Sequence, residues 1–314
     1  MTDHEDGVLE LEVIGLRRES DCVLSVELAD PEGRALPAWE PGAHIDLELP
    51  EHVRQYSLIG DPADRYRYRI AVLREPASTG GSEYVHEVLR PGQPVEVGGP
   101  RNHFSLVEAD RYVLIAGGIG VTPLLPMIES LCARGRDWRL VYGGRTRRSM
   151  AFLSELAGYG DRVQVRPFDE FGHLDLDELL GAPEERVAVY CCGPEGLIDA
   201  VEQRCAAWPA GTLHVERFAA PVRDDEDDLR AFELVLGRSG RRFPVPADSS
   251  PLDVLEAAGI SLPNACRDGI CGSCETRVLS GLPLHRDSLT EPGRTDVLLP
   301  CVSRAQGTEL VLDL

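Results

Sequence analysis

The chain has 314 residues, is 43% hydrophobic and carries a formal net charge of −21 at pH 7. That length exceeds one ordinary core and predicts two or three domains, and the acidic balance argues against a nucleic-acid partner in favour of a basic docking surface on another protein. All basic residues other than His are Arg, with no Lys in the chain, which reads as codon bias toward GC-rich triplets.

The N-terminus, Met1-Thr2-Asp3-His4-Glu5-Asp6, is polar and acidic, without the basic start and apolar middle of a secretory signal. The longest apolar run, Tyr112 to Val121, is too short to span a bilayer and holds three glycines. These features predict a soluble, cytoplasmic protein that does not enter membranes. Nine cysteines in a reducing compartment point away from disulfides and toward metal or redox use for some of them.

From about residue 8 to 105, short alternating runs such as Cys22–Leu28, His44–Leu49 and Tyr68–Leu73 are punctuated by Pro41-Gly42 and Pro91-Gly92. Closely spaced alternating strands predict a small antiparallel barrel. From about 110 to 218 the pattern becomes strand and helix in turn. Strands are expected at Tyr112–Ala116, Arg139–Tyr142, Arg162–Val165 and Val187–Cys191, with helices at Leu124–Arg134 and Gly196–Ala207. Such alternation predicts a parallel sheet covered on both faces. The acidic run Arg223-Asp224-Asp225-Glu226-Asp227-Asp228 repels itself and reads as a solvated linker. Beyond it, Phe232–Leu236 and Arg242–Val245 flank a Gly237–Gly240 turn as a hairpin. The expected boundaries are 1–107, 108–220, a linker at 221–230, and 231–314.

Cys266, Cys271 and Cys274 stand at C-x4-C-x2-C, with Cys301 downstream. This is the plant-type spacing for a 2Fe–2S cluster held by four thiolates. Gly269, Gly272 and Ser273 let the backbone wrap an inorganic core closely and aim N–H groups at sulfur. Structural zinc, which more often uses two C-x2-C pairs, and chance clustering are the competing readings. Cys22, Cys132 and Cys205 read as small buried hydrophobes.

Two glycine turns follow buried strands. One is Gly117-Gly118-Ile119-Gly120-Val121-Thr122-Pro123, the other Cys192-Gly193-Pro194. Each suits a pyrophosphate approaching the backbone at a helix start, and in a parallel sheet both fall on the carboxyl edge where ligands bind. The first departs from the G-x-G-x-x-G spacing, so a plain strand-to-helix turn competes with it. In Arg54-Gln55-Tyr56-Ser57, Arg suits a phosphate, Tyr a stacked ring and Ser a hydrogen bond; taken alone, an exposed strand carrying one aromatic accounts for it better.

In this order, R-x-Y-S, G-G-S, G-G-I-G-x-T-P, C-G-P and C-x4-C-x2-C…C, the chain resembles the phthalate dioxygenase reductase family over nearly its whole length. The resemblance implies an antiparallel β-barrel flavin domain, an α/β nucleotide domain of ferredoxin-reductase type and a C-terminal α+β ferredoxin of β-grasp type. It implies FMN bound by Arg54, Tyr56 and Ser57, with Ser57 near the reactive ring nitrogen. Ala71 and Val72 would line the ring, and Gly80, Gly81 and Ser82 would hold the phosphate. Gly118, Gly120, Thr122, Pro123, Cys192, Gly193 and Pro194 fall to the nucleotide, with Thr122 and Cys192 facing the nicotinamide. Phe218 would cover the flavin. Cys266, Cys271, Cys274 and Cys301 would hold the cluster.

The implied activity passes electrons from NADH to FMN, then to 2Fe–2S, then to a terminal oxygenase, either Rieske-type or haem-thiolate. Hydride brings two electrons and the cluster takes one at a time, so a flavin between them is required. After Tyr142 the chain departs from the family with Gly143-Gly144-Arg145-Thr146-Arg147-Arg148. Three arginines, Arg145 among them, leave NADPH open beside NADH. Two other readings stand beside this one: a redox sensor with negligible turnover, and a stand-alone flavin reductase.

Overall fold

A computed structural model describes residues 8–50, 52–75, 80–219, 229–290 and 293–314. The polar N-terminal stretch and the acidic run at 223–228 lie outside the described residues. The chain divides into two compact units, Met1–Glu216 and Arg217–Leu314. Among the described residues no helix is long and apolar enough to cross a membrane.

The first unit begins with strands β1 (Leu9–Ser20), β2 (Val23–Ala29), β3 (Ala43–Leu49), β4 (His52–Ser57) and β5 (Tyr68–Leu73). Helix α1 (Gly81–Glu87) and strand β6 (Pro94–Asn102) complete the set. They form an antiparallel sheet in the order β4-β3-β6-β1-β2-β5. Alternation sends Leu11, Val13, Val26, Leu28, Ile45, Leu47 and Ile70 into one core. β3 is buried on both faces and therefore carries a polar cost at Asp46, which accepts from Gln55 Nε2 at 2.7 Å and pairs with Arg101.

The chain then alternates β7 (Arg111–Gly117), α2 (Leu124–Ala133), β8 (Asp137–Gly144), α3 (Leu153–Leu156), β9 (Val163–Pro167), α4 (Phe168–Phe171), α5 (Leu176–Leu180), β10 (Val187–Cys192), α6 (Glu195–Cys205) and β11 (Leu213–Glu216). The sheet order is β11-β10-β7-β8-β9, and its neighbours run parallel. The fifth strand, β11, was not expected, because His214 and Glu216 break its apolar run. One face packs on α5 and α6 through Val113, Ile115, Val189, Cys191 and Ile198. The other packs on α2, and this core also takes in Val23, Ile59, Ala71 and Phe104 from the barrel segment. Barrel and parallel sheet therefore share a core, which explains why they form one unit. The connector between them is pinned by two buried phenols. Tyr190 Oη donates to the Ser105 carbonyl at 2.9 Å, and Tyr112 Oη to that of Val107 at 3.0 Å.

The second unit contains β12 (Phe232–Leu236), β13 (Arg242–Val245), α7 (Pro251–Ala257), β14 (Thr276–Ser280), β15 (Pro283–Leu284), β16 (Val297–Leu298), β17 (Arg304–Ala305) and β18 (Glu309–Leu312). Its main sheet runs β13-β12-β18-β14-β16, with β12 parallel to β18 and the other pairs antiparallel. Helix α7 starts at a capping box, Ser250 with Asp253, and has Pro251 in its first turn, where a missing donor costs nothing. Leu252 and Leu255 bury its inner face against Leu234, Leu298 and Leu310.

Candidate functional site

At the carboxyl edge of the parallel sheet the two glycine turns touch. β7 and β10 lie in register with Ala116 opposite Cys192. A Cβ on Gly120 would stand 2.2 Å from the Cys192 carbonyl oxygen, and one on Gly193 would stand 2.8 Å from Gly117 Cα. Only hydrogen fits there, so the backbones of both turns converge on one place. Gly118 differs. It adopts φ +56 with nothing within 4 Å of a built Cβ, so the turn opens outward. As expected, the glycine turn separates strand from helix: a 3₁₀ turn at 118–121 comes first, and α2 begins at Leu124, after Pro123. Thr122 is buried, and its hydroxyl donates to the Ile119 carbonyl at 2.9 Å. Pro194 caps α6.

Beyond β10 lies β11, with Glu216 in register with Cys192. Cys192 is buried, and desolvation together with Glu216 and Cys191 pushes its thiol well above the usual range. It is a neutral thiol, not a nucleophile. Burial raises the Glu216 carboxyl to about 8, and its Oε2 is enclosed without a partner among the described residues. At neutral pH this group is a carboxylic acid that can donate a hydrogen bond. Sequence reasoning passed over Glu216. Its signal was an acid at the carboxyl end of a short β-patterned run, directly before Arg217-Phe218.

In the barrel segment, β4 carries Arg54, Tyr56 and Ser57. Ser57 is 5% exposed, and its Oγ has no partner among the described residues. Burial raises the Tyr56 phenol to about 12. Arg54 lies against the turn that opens α1: a Cβ on Gly81 would stand 3.1 Å from Arg54 Cγ and 3.3 Å from its Nε. Gly80, at φ +112, comes equally close to His52. The R-x-Y-S strand and the G-G-S turn, far apart in sequence, thus meet around one guanidinium. Ser82 Oγ accepts from the Glu75 amide at 3.2 Å. On β5, Ala71 faces the shared core and Val72 the barrel core, and the Val72 carbonyl accepts from His86 Nε2 at 2.9 Å. Arg, glycine backbone and an orphaned buried hydroxyl are the donor set that a flavin phosphate and ring need, so these residues fit the group.

In the second unit the cysteine loop winds left-handed at Arg267 (φ 59), Gly269 (φ 71) and Gly272 (φ 71). A Cβ on Gly269 would stand 2.6 Å from Val302 Cγ2, so the loop presses closely on its neighbour. Cys271, Cys274 and Cys301 are buried and Cys266 is half-buried. The thiols associate in pairs, Cys266 with Cys271 and Cys274 with Cys301, each pair holding one sulfur toward thiolate and the other toward thiol. Among the described residues no three metal-ligating side chains converge on one point.

Hydrogen bonds then shape this loop. The Asp268 amide donates to Cys266 Sγ at 3.3 Å, and Ser273 Oγ lies 3.1 Å from Cys271 Sγ. The Ser288 amide donates to the Gly269 carbonyl at 3.0 Å, beside Asp287, which accepts from the Thr290 amide at 2.7 Å. Arg267 ties the loop to α7 through Asp253 and Glu256. Four soft sulfur ligands, with a backbone N–H aimed at Cys266 Sγ, fit a 2Fe–2S cluster that Cys266, Cys271, Cys274 and Cys301 would hold.

Phe218 is 40% exposed, at the start of the second unit. Arg145 is exposed after β8. Cys205 is buried as expected, whereas Cys22 and Cys132 are only half-buried.

Residues 234–306 match the family model for a 2Fe-2S iron-sulfur cluster binding domain. The chain is 44% identical to the phenoxybenzoate dioxygenase subunit beta of Ectopseudomonas oleovorans over 94% of each chain. It is 39% identical to the phthalate dioxygenase reductase of Burkholderia cepacia, covering 100% of this chain and 99% of that one. A solved phthalate dioxygenase reductase, with electron transfer from pyridine nucleotides to [2Fe-2S], superposes with a TM-score of 0.73 at 37% identity over 98% of both chains. An intact type IV self-sufficient cytochrome P450 monooxygenase superposes with a TM-score of 0.93 at 43% identity. There the match covers 98% of this chain but only 41% of the longer protein.

Proposed function

Because the chain belongs to the phthalate dioxygenase reductase family, we propose that it is the reductase component of a multicomponent oxygenase, moving electrons from NADH through FMN and a 2Fe–2S cluster to a terminal oxygenase. The observation that carries the reading is a wrapped loop that holds Cys266, Cys271 and Cys274, with a fourth thiol, buried, at Cys301, in a chain whose other unit brings an R-x-Y-S strand against a G-G-S turn. FMN supplies the conversion between hydride and single electrons when bound. Relatives named as dioxygenase components and a P450 fusion support both a Rieske-type and a haem-thiolate oxygenase as acceptor. The free cysteines suit a reducing cytoplasm.

The chain's own residues bind, orient and exclude water. Arg54 would pair with the FMN phosphate, helped by the backbone amides of Gly80, Gly81 and Ser82. Ser57 Oγ would gain from the flavin ring the partner that it lacks, Tyr56 would flank the ring, and Ala71 and Val72 would wall it. Gly118, Gly120, Gly193 and Pro194 would let the pyrophosphate reach the backbone, with Thr122 and Pro123 setting the turn. Cys192 and Glu216 would stand at the nicotinamide end, Cys192 as a small neutral wall and Glu216 as a protonated hydrogen-bond donor. The exposed Phe218 is assigned to the flavin on its motif alone. The cluster falls to Cys266, Cys271, Cys274 and Cys301.

The test is an anaerobic titration of the purified, cofactor-loaded protein with NADH, followed by visible absorbance and then by addition of cytochrome c. Bleaching of flavin and cluster followed by rapid cytochrome c reduction is expected. Bound zinc, or a loaded protein that cannot reduce cytochrome c, would overturn the reading.

A further inference from the structure

The arginine loop after β8 is the sequence feature that the assigned function leaves unused. Arg145, Arg147 and Arg148 are all exposed there, and three guanidiniums together suggest a reader for a 2′-phosphate. Carboxylates engage two of the three, Arg147 and Arg148. Arg147 holds Glu170 of α4 in a two-pronged fork, Nε to Oε1 at 3.0 Å and Nη2 to Oε2 at 2.8 Å. Arg148 Nε donates to Asp21 Oδ2 at 3.1 Å, and its carbonyl accepts from the Asp21 amide at 3.1 Å. Arg148 is thereby drawn toward the β1–β2 turn. The Asp169 amide donates to the Arg145 carbonyl at 3.3 Å. That contact fastens α4, with its consecutive Asp169 and Glu170, against the arginine loop.

The place matters. β8 and β9 lie on the side of β7 away from β10. A dinucleotide with its nicotinamide at Cys192 and its pyrophosphate over the turn after β7 extends its adenosine across the carboxyl ends of β8 and β9. Those ends carry Gly144 and Pro167, directly before the arginine loop and α4. The adenosine ribose is where NADPH differs from NADH, by one phosphate.

We propose that the Glu170–Arg147 fork is the element by which this reductase rejects the 2′-phosphate of NADPH. The proposal rests on the nucleotide assignment above. A 2′-phosphate needs the same bidentate face of Arg147 that Glu170 already occupies. To take it, the phosphate must expel a carboxylate that stays tethered beside it, with Asp169 adding a second negative charge. NADH presents a neutral ribose at that point and meets no such repulsion. An exposed pair of this kind adds little to stability, so its consequence lies in selection between ligands, by a repulsive element set against the wrong one.

The experiment measures calorimetric Kd values for NAD+ and NADP+ on the cofactor-loaded protein as wild type, Glu170→Gln and Glu170→Gln/Arg147→Ala. Steady-state kcat and KM with NADH and NADPH accompany them. Wild type should bind NADP+ at least tenfold more weakly than NAD+. Glu170→Gln should narrow that gap at least fivefold through NADP+, with the NADPH gain carried in KM and not in kcat. Adding Arg147→Ala should restore the gap, since the freed guanidinium is what captures the phosphate. A wild type that prefers NADP+, or a gap unmoved within twofold by Glu170→Gln while NAD+ still binds, overturns the fork. A loaded wild type that binds neither nucleotide overturns the fork and the nucleotide site together.

Discussion

The two compact units assemble their functional groups in opposite ways. In the second, three of the four thiols fall within residues 266–274, and one tightly wound loop fixes their spacing before any distant contact is made. In the first, Arg54 meets Gly81, Gly117 meets Gly193 and Cys192 meets Glu216 only because a barrel strand, a helix start and three parallel strands share one fold. A site of the first kind fails all at once when a ligand is lost. The distributed kind degrades by degrees, and its weak points are the places where backbones touch.

The largest effect that sharpens this contrast comes from Cys274→Ser. Removing one thiolate should abolish the cluster absorbance and cut NADH-driven cytochrome c reduction by about 100-fold or more. Ferricyanide reduction, which the flavin can support alone, should stay within about threefold. Loss of both activities would break the separation between the units.

Next comes Gly120→Ala, whose Cβ would meet the Cys192 carbonyl oxygen at 2.2 Å. Backbone must move, so denaturant unfolding should show a loss of about 3 kcal/mol, together with a raised KM for NADH. Gly118→Ala meets no atom and carries only a left-handed backbone, so about 1 kcal/mol is expected. Equal costs at the two positions would refute the contact between the turns.

Arg54→Ala should weaken FMN binding by about 10–100-fold, as for a lost charge-assisted bond, with the cluster spectrum untouched. Fluorescence titration of the apoprotein with FMN reads it directly.

The smallest effect is the pH dependence of Glu216. Its folded pKa, about 8, lies above the ordinary 4.5. Its contribution to stability is therefore complete below about pH 4.5 and is lost as pH rises through 8. Glu216→Gln should flatten the fall of Tm between pH 5 and 8 by about 3 °C. A wild-type Tm that changes over this window at the same rate as the variant's would remove the buried acid from the account.

Much of this was legible in advance for a physical reason. The C-x4-C-x2-C spacing is short enough for local geometry to impose, so the cysteines declared their chemistry without help from the rest of the chain. The hairpin at Phe232–Leu236 and Arg242–Val245 likewise has the limits that the alternation and turn predicted. β11 was missed because an edge strand of four residues, half-buried and interrupted by His214 and Glu216, has too little periodicity to register. Glu216 disappeared with it. The arginine loop was legible only as charge. Three arginines within four residues left NADH and NADPH both open, and the carboxylates that engage two of them, Glu170 and Asp21, come from other elements.

By itself, the sequence determined the elements whose cause is local: the thiol spacing, the glycine turns after buried strands, the alternation of the barrel and the change to strand–helix order. Only the tertiary structure decided which distant groups would meet. Register in a sheet and packing across a shared core depend on contacts between residues far apart in the chain, and composition does not encode them. The company of Cys192 and Glu216, the seat of Arg54 on Gly81 and the engagement of Arg147 by Glu170 all belong to that second kind.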